Sequence, residues 1–224
     1  MIEAPPLEIR ARDFLLRFYM IIPRMKFRWR ERRRMKAMRK ALSAIRRAHS
    51  GAVELGLPNV IKAYNLGLYI LLLEMDWSTL NWDMMHATND WRRKFVARQM
   101  AIFLYEASED LTQLLGRDYR EALTSMDIEN EFLNELGQVS RQLSRFKQTN
   151  EGLLKRIRHF VGAHRDHDAA AQLDVLDNLE PLKIYGLAGD FYVPLRALVE
   201  LQARLTPIFG NNQTLLGQYL KKDH

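Results

Sequence analysis

The stretch "IENEFLNELGQVSRQLSRFKQTNEGLLKRIRHFV", residues 128–161, decides the fold class. Its apolar residues fall at Ile128, Phe132, Leu136, Val139, Leu143 and Phe146, then, after a polar slot at Asn150, at Leu153, Ile157, Phe160 and Val161. Steps of three and four sustained over such a length put one apolar stripe on one long helix. A helix of that length serves as the spine of a bundle or as a dimer interface.

The same period extends outward in both directions. Upstream, Trp91, Val96, Met100, Phe103, Ala107, Leu111 and Leu114 form a second stripe that should stop near Gly116. A buried helix is expected over residues 60–75, followed by a connector, "NWDMMHATND" (81–90), rich in turn and cap residues. Trp77, Trp82 and Trp91 around it read as core or interface anchors, and Tyr64 and Tyr69 as packing. "GLPN" at 56–59 marks a break, with Pro58 suited to the start of a helix. A first helix is expected over 7–22, stopped or kinked by Pro23, and Met35, Met38, Leu42 and Ile45 give the next segment one apolar face. Downstream, residues 190–205 are expected to form an amphipathic helix with Pro194 near its start and Leu195, Leu198, Val199 and Gln202 facing inward. No stretch alternates with period two. The expected fold is an all-α helical bundle over residues 51–224, preceded by a basic helical arm over residues 1–50.

Composition narrows the function classes. Of 224 residues, 47% are hydrophobic and 27% charged, which suits a globular domain with a real core. There is no cysteine, so disulfides and thiolate metal sites are excluded, and a reducing cytoplasm is the expected location. The densest apolar run, Leu66–Leu73, falls well short of the roughly 20 residues that cross a bilayer. The apolar run from Phe14 to Ile22 contains Arg17 and is followed by charge, the reverse of a secretory signal.

The net charge of +7 conceals a division. Twelve Lys and Arg but only one acidic residue, Glu31, lie between Arg24 and Arg47, so that segment carries +11 and the remainder of the chain −4. Arg24, Lys26, Arg28, Arg30, Arg32, Arg33, Arg34, Lys36, Arg39 and Lys40, with Phe27 and Trp29 among them, suit phosphate contacts combined with base stacking. The expected partner of the arm is RNA or another single-stranded nucleic acid. Beside the apolar run at 14–22, the same composition also suits an anionic membrane surface.

The second chemical feature is "RIRHFVGAHRDHD", residues 156–168, at the end of the long stripe. Ile157, Phe160, Val161 and His164 stand at i, i+3, i+4 and i+7, and Arg158 lies about 120° from His164 around an ideal helix. A histidine can exchange protons near neutral pH, and an arginine fork can hold a phosphate. In RNA the 2′-hydroxyl already stands beside the phosphorus, so these two groups suffice without a metal. His159, His164, Asp166, His167 and Asp168 could alternatively ligate a metal in the manner of the helical His-Asp phosphohydrolases, with His49 or His86 and Asp174 or Asp177 as further ligands. No spacing singles those additional ligands out.

"RHFVGAH", with Arg158, His159 and His164, resembles the R-x(4–6)-H signature of the HEPN superfamily, and the continuation "AHRD" is similar to the form in its abortive-infection-type branch. The resemblance covers roughly residues 55–208 and leaves the arm aside. It implies a helical bundle that forms a homodimer and cleaves RNA without metal or other cofactor, as part of a prokaryotic defence or toxin-like system with a cognate antitoxin or sensor. Arg158 would then contact the scissile phosphate, His164 would transfer protons, and His159 would occupy the polar support position. HEPN domains without catalytic activity also exist, so a module that binds nucleic acid or protein is the alternative.

Overall fold

The computed structural model describes the backbone of residues 7–161 and 168–211, and the side chains of residues 29–160 and 168–210. The described residues form seven helices and no strand: α1 (Leu7–Glu54), α2 (Pro58–His86), α3 (Asp90–Leu114), α4 (Arg117–Ser125), α5 (Asn130–Val161), α6 (Ala169–Asp177) and α7 (Pro181–Asn211). The all-α bundle expected from the periodicity is therefore present. The chain divides into two compact units, residues 1–41 and 42–224, with α1 contributing to both. Pro23, expected to stop or kink the first helix, lies within α1, which continues for some thirty residues beyond it.

In the larger unit, α1 ends in a closed cap. Gly56 takes the left-handed conformation (φ 63°), its N–H donates to the Val53 carbonyl, and the Leu57 N–H reaches back to Ala52, both at 3.0 Å. This 6→1 and 5→2 pair satisfies carbonyls that the helix end would otherwise leave open. Pro58 then begins α2, where its missing N–H removes no helical bond. The same device ends α4 at Asp127 (φ 54°), with Ile128 N–H donating to Leu123 and Asp127 N–H to Thr124. Here a non-glycine residue occupies the left-handed position.

Helix α3 is the centre of the unit, packed against α2, α5 and α7; α4 rests on α2, and α6 on α5. Phe191 of α7 is fully buried and meets Phe103 of α3 edge-on at 6.1 Å and Phe146 of α5 at 5.2 Å. Between α2 and α7 the packing has a polar member. Buried Gln202 donates to the Ala63 carbonyl at 3.1 Å and accepts from the Tyr119 hydroxyl at 3.3 Å. Gly67 makes room for it, because a Cβ there would lie 3.0 Å from Gln202 Nε2.

Three sequence expectations are corrected. The stretch 81–90 is not a connector up to its end: α2 continues to His86, because Met84 is buried and Trp82 stacks on His86 at 3.7 Å. Asn89 then caps α3, accepting from Arg92 N–H at 2.8 Å, so its polar residues serve a helix start. Helix α7 begins at Pro181 rather than near 190, since Ile184, Ala188 and Phe191 continue the buried stripe toward the N-terminus, and Pro194 sits inside it. On α5, Leu154 is buried and Leu153 is exposed, which shifts the stripe by one residue after Asn150.

Candidate nucleic-acid interface and the arginine–histidine motif

The arm is helical through its whole basic segment, so its side chains are distributed by the 100° step of the α-helix. Trp29, Arg33, Lys36 and Lys40 then fall within about 60° of one another, while Glu31, Met35 and Met38 occupy the opposite side. Exposure follows that division: the four are exposed and Met38 is buried. The Trp29 ring is 55% exposed and carries the Arg33 guanidinium 3.5 Å above its centroid. One face of the indole is thus covered by a cation. Arg30, Arg32 and Arg39 are also exposed, and Arg34 is half-buried with Glu31 at 3.9 Å. Arg30, Arg32, Arg33, Lys36 and Lys40 have no carboxylate partner among the described residues. The side chains of Arg24, Lys26 and Arg28 lie outside the described residues.

The motif at the end of α5 has different surroundings. Arg158 and His159 stand in its last turn, where positive charge faces the open carbonyls of the helix end. Arg158 Nε donates to Glu106 Oε1 of α3 at 3.2 Å, and its guanidinium lies 5.4 Å from the Tyr105 ring centroid. His159 is exposed, its ring edge-on to Phe160 at 5.1 Å. His164, with Asp166 and His167, lies outside the described residues.

The Arg158 pair belongs to a ladder of acids on α3 that sequence reading missed. Glu109, one turn on, accepts from Lys147 of α5 at 2.8 Å, a hydrogen bond that raises the lysine's pKa. Asp110 accepts from the Tyr69 hydroxyl of α2 at 2.6 Å. Burial, then that hydrogen bond, then the charges of Asp110, Glu106 and Asp76 hold the Tyr69 phenol protonated well above its ordinary range. Lys147 and Arg158 are eleven residues apart, three full turns, and so share one face of α5. That spacing, set against Glu106 and Glu109 on a neighbouring stripe, was the available signal. Tyr69 also lines a groove of about 740 Å³ between α2, α3 and α4, with Leu66, Leu72, Lys62, Asp110 and Asp118.

Several residues named for the metal reading have other contacts. Asp168 caps α6, accepting from Ala171 N–H at 3.0 Å. His86 has Nδ1 2.8 Å from the Trp82 carbonyl, and Asp177 lies 3.8 Å from Lys94. Among the described residues no three His, Asp or Glu side chains converge as a metal site. Of the tryptophans, Trp77 is buried and stacks on Tyr192 at 5.1 Å, whereas Trp91, expected to anchor the core or an interface, is 63% exposed at the start of α3. Tyr64 is buried in the core. No helix of the described residues is long and apolar enough to cross a membrane.

Compared with known proteins, the chain matches no family model, no curated protein and no solved structure.

Proposed function

We propose that this chain acts on RNA, with the arm holding a single strand and the Arg158–His164 motif cleaving it in the manner of HEPN endoribonucleases. The observation that carries the reading is the exposed stripe of Trp29, Arg33, Lys36 and Lys40, in which an indole with one open face stands among cations that have no acidic partner among the described residues. A base can stack on the open face while its flanking phosphates meet the cations.

In the cleavage step, a histidine takes the proton of a 2′-hydroxyl as that oxygen attacks the adjacent phosphorus. The bond to the 5′-oxygen breaks, the departing oxygen is protonated, and a 2′,3′-cyclic phosphate and a 5′-hydroxyl remain. Arg158 suits the phosphate role because Glu106 engages its Nε, leaving the two terminal nitrogens as a fork for phosphate oxygens. A homodimer would set two copies of the motif together, and a cognate antitoxin or sensor would restrain it.

The test is cleavage of a mixed RNA pool by the full chain in EDTA, beside His164→Ala and Arg158→Ala. Cyclic phosphate ends that disappear in both variants establish the nuclease; activity that survives both removes the motif from the chemistry. A non-catalytic nucleic-acid binder is the second reading. It is favoured by the engagement of Arg158 with Glu106 and Tyr105, which is also what a purely structural arginine would show. It predicts no cleavage, with salt-sensitive RNA binding that depends on the arm alone.

A further inference from the structure

A separate cavity of about 440 Å³ opens where the end of α3, helix α4 and the middle of α5 meet. Its polar lining includes Arg117, Arg120, Glu121, Thr112, Ser140 and Ser144. Hydroxyls on helices of this chain ordinarily turn back to the carbonyl one turn earlier. Ser50, Thr79, Thr112, Thr124 and Thr206 all do so, at 2.7–3.1 Å. Ser140 and Ser144 depart from that habit. They stand one turn apart on α5, half-buried at the cavity, and have no hydrogen-bond partner among the described residues.

Arg120 is likewise without an acidic partner among the described residues, whereas Arg117 is joined to Glu121 at 3.3 Å. The pair cancels its own charge and leaves Arg120 to set the sign of the cavity. Gly116 stands at the rim, where a Cβ would lie 2.9 Å from the Gln113 carbonyl oxygen, so the junction of α3 and α4 admits no side chain there.

We propose that this cavity binds a terminal phosphate group, either as the free ion or at the end of a small phosphomonoester. Arg120 offers two parallel N–H donors, and Ser140 and Ser144 offer one O–H each. A terminal phosphate has three outer oxygens and can accept from all of them; a phosphodiester has only two. The hydroxyl pair favours an oxyanion over a halide, and the single unbalanced arginine favours an anion over a neutral ligand. None of its lining residues belongs to the arm or to the Arg158–His164 motif, so it stands or falls apart from the RNA reading.

The experiment is a titration of the full chain with inorganic phosphate, glycerol 3-phosphate, chloride and a short oligoribonucleotide at low ionic strength, followed by the backbone amide NMR signals of residues 116–120 and 140–144. Phosphate or its ester should saturate these signals with a Kd of about 1 mM or tighter. The tighter of the two identifies the source. Arg120→Met should weaken binding by about tenfold or more, the loss of a charge-assisted fork. The double variant Ser140→Ala/Ser144→Ala should weaken it severalfold with the arginine still in place, and unfolding curves should show both variants folded. The proposal is overturned by unsaturable shifts, by shifts of equal size with chloride, by unchanged affinity in Arg120→Met, or by a response to an oligoribonucleotide but to neither small phosphate.

Discussion

On α1, the Arg33 guanidinium lies 3.5 Å over an exposed tryptophan, and its neighbours Arg30, Arg32, Lys36 and Lys40 have no carboxylate partner among the described residues. On α5, Arg158 has a carboxylate at 3.2 Å and an aromatic ring beside it, and Lys147 has its own carboxylate at 2.8 Å. The residue types are the same; the difference is supplied by the neighbouring helix. The segment from Arg24 to Arg47 contains one acidic residue, whereas α5 packs against an α3 that presents Glu106, Glu109 and Asp110. An unbalanced positive stripe attracts phosphate from solution. A balanced one orients side chains and adds little net charge. The arm therefore keeps its positive charge unbalanced among the described residues, and the α3–α5 seam holds a geometry.

That contrast can be tested at several strengths. The domain should unfold far more readily on Phe191→Ala, which empties a fully buried aromatic site, by about 3–5 kcal/mol in denaturant unfolding. The arm's Trp29→Ala should change the same measurement by less than about 0.5 kcal/mol, and a large effect there would make the arm structural. Next in size, Gly67→Ala should destabilise the domain by about 1–3 kcal/mol, because the added methyl meets Gln202 at the α2–α7 crossing.

Replacing Arg33, Lys36 and Lys40 together with Gln should weaken RNA binding by about tenfold or more and lower the slope of log affinity against log salt by about 2, without changing the unfolding midpoint. An unaltered slope would remove the arm from the interface. Glu106→Gln is expected to shift stability by less than about 1 kcal/mol, since the pair with Arg158 is solvent-exposed. If it also leaves RNA cleavage unaltered while Arg158→Ala abolishes it, Arg158 needs no orientation by α3. The smallest effect is a gain. Asp127→Gly should stabilise the domain by about 0.5–1 kcal/mol by relieving a left-handed backbone conformation at a helix end.

The sequence by itself determined the class of the fold and the division of charge. Apolar steps of three and four from Phe132 to Ile157, the closing Gly56 and the starting Pro58 are local signals, fixed by helix period and backbone stereochemistry. The concentration of twelve basic residues between Arg24 and Arg47 is likewise a property of the chain before it folds. Where the reading failed, a residue's local preference gave way to packing. Pro194 suggested a helix start near 190, yet α7 begins at Pro181 because Ile184, Ala188, Phe191 and Leu195 are all buried on one face. Turn-like polar residues near 81–90 instead end one helix and cap the next. Only the tertiary structure decided which cations are engaged. Glu106 is 52 residues from Arg158, and Ser140 stands 20 from Arg120. A hydrogen bond or a cavity between such residues exists only once separate helices have been brought side by side, and helix period alone does not choose which faces meet.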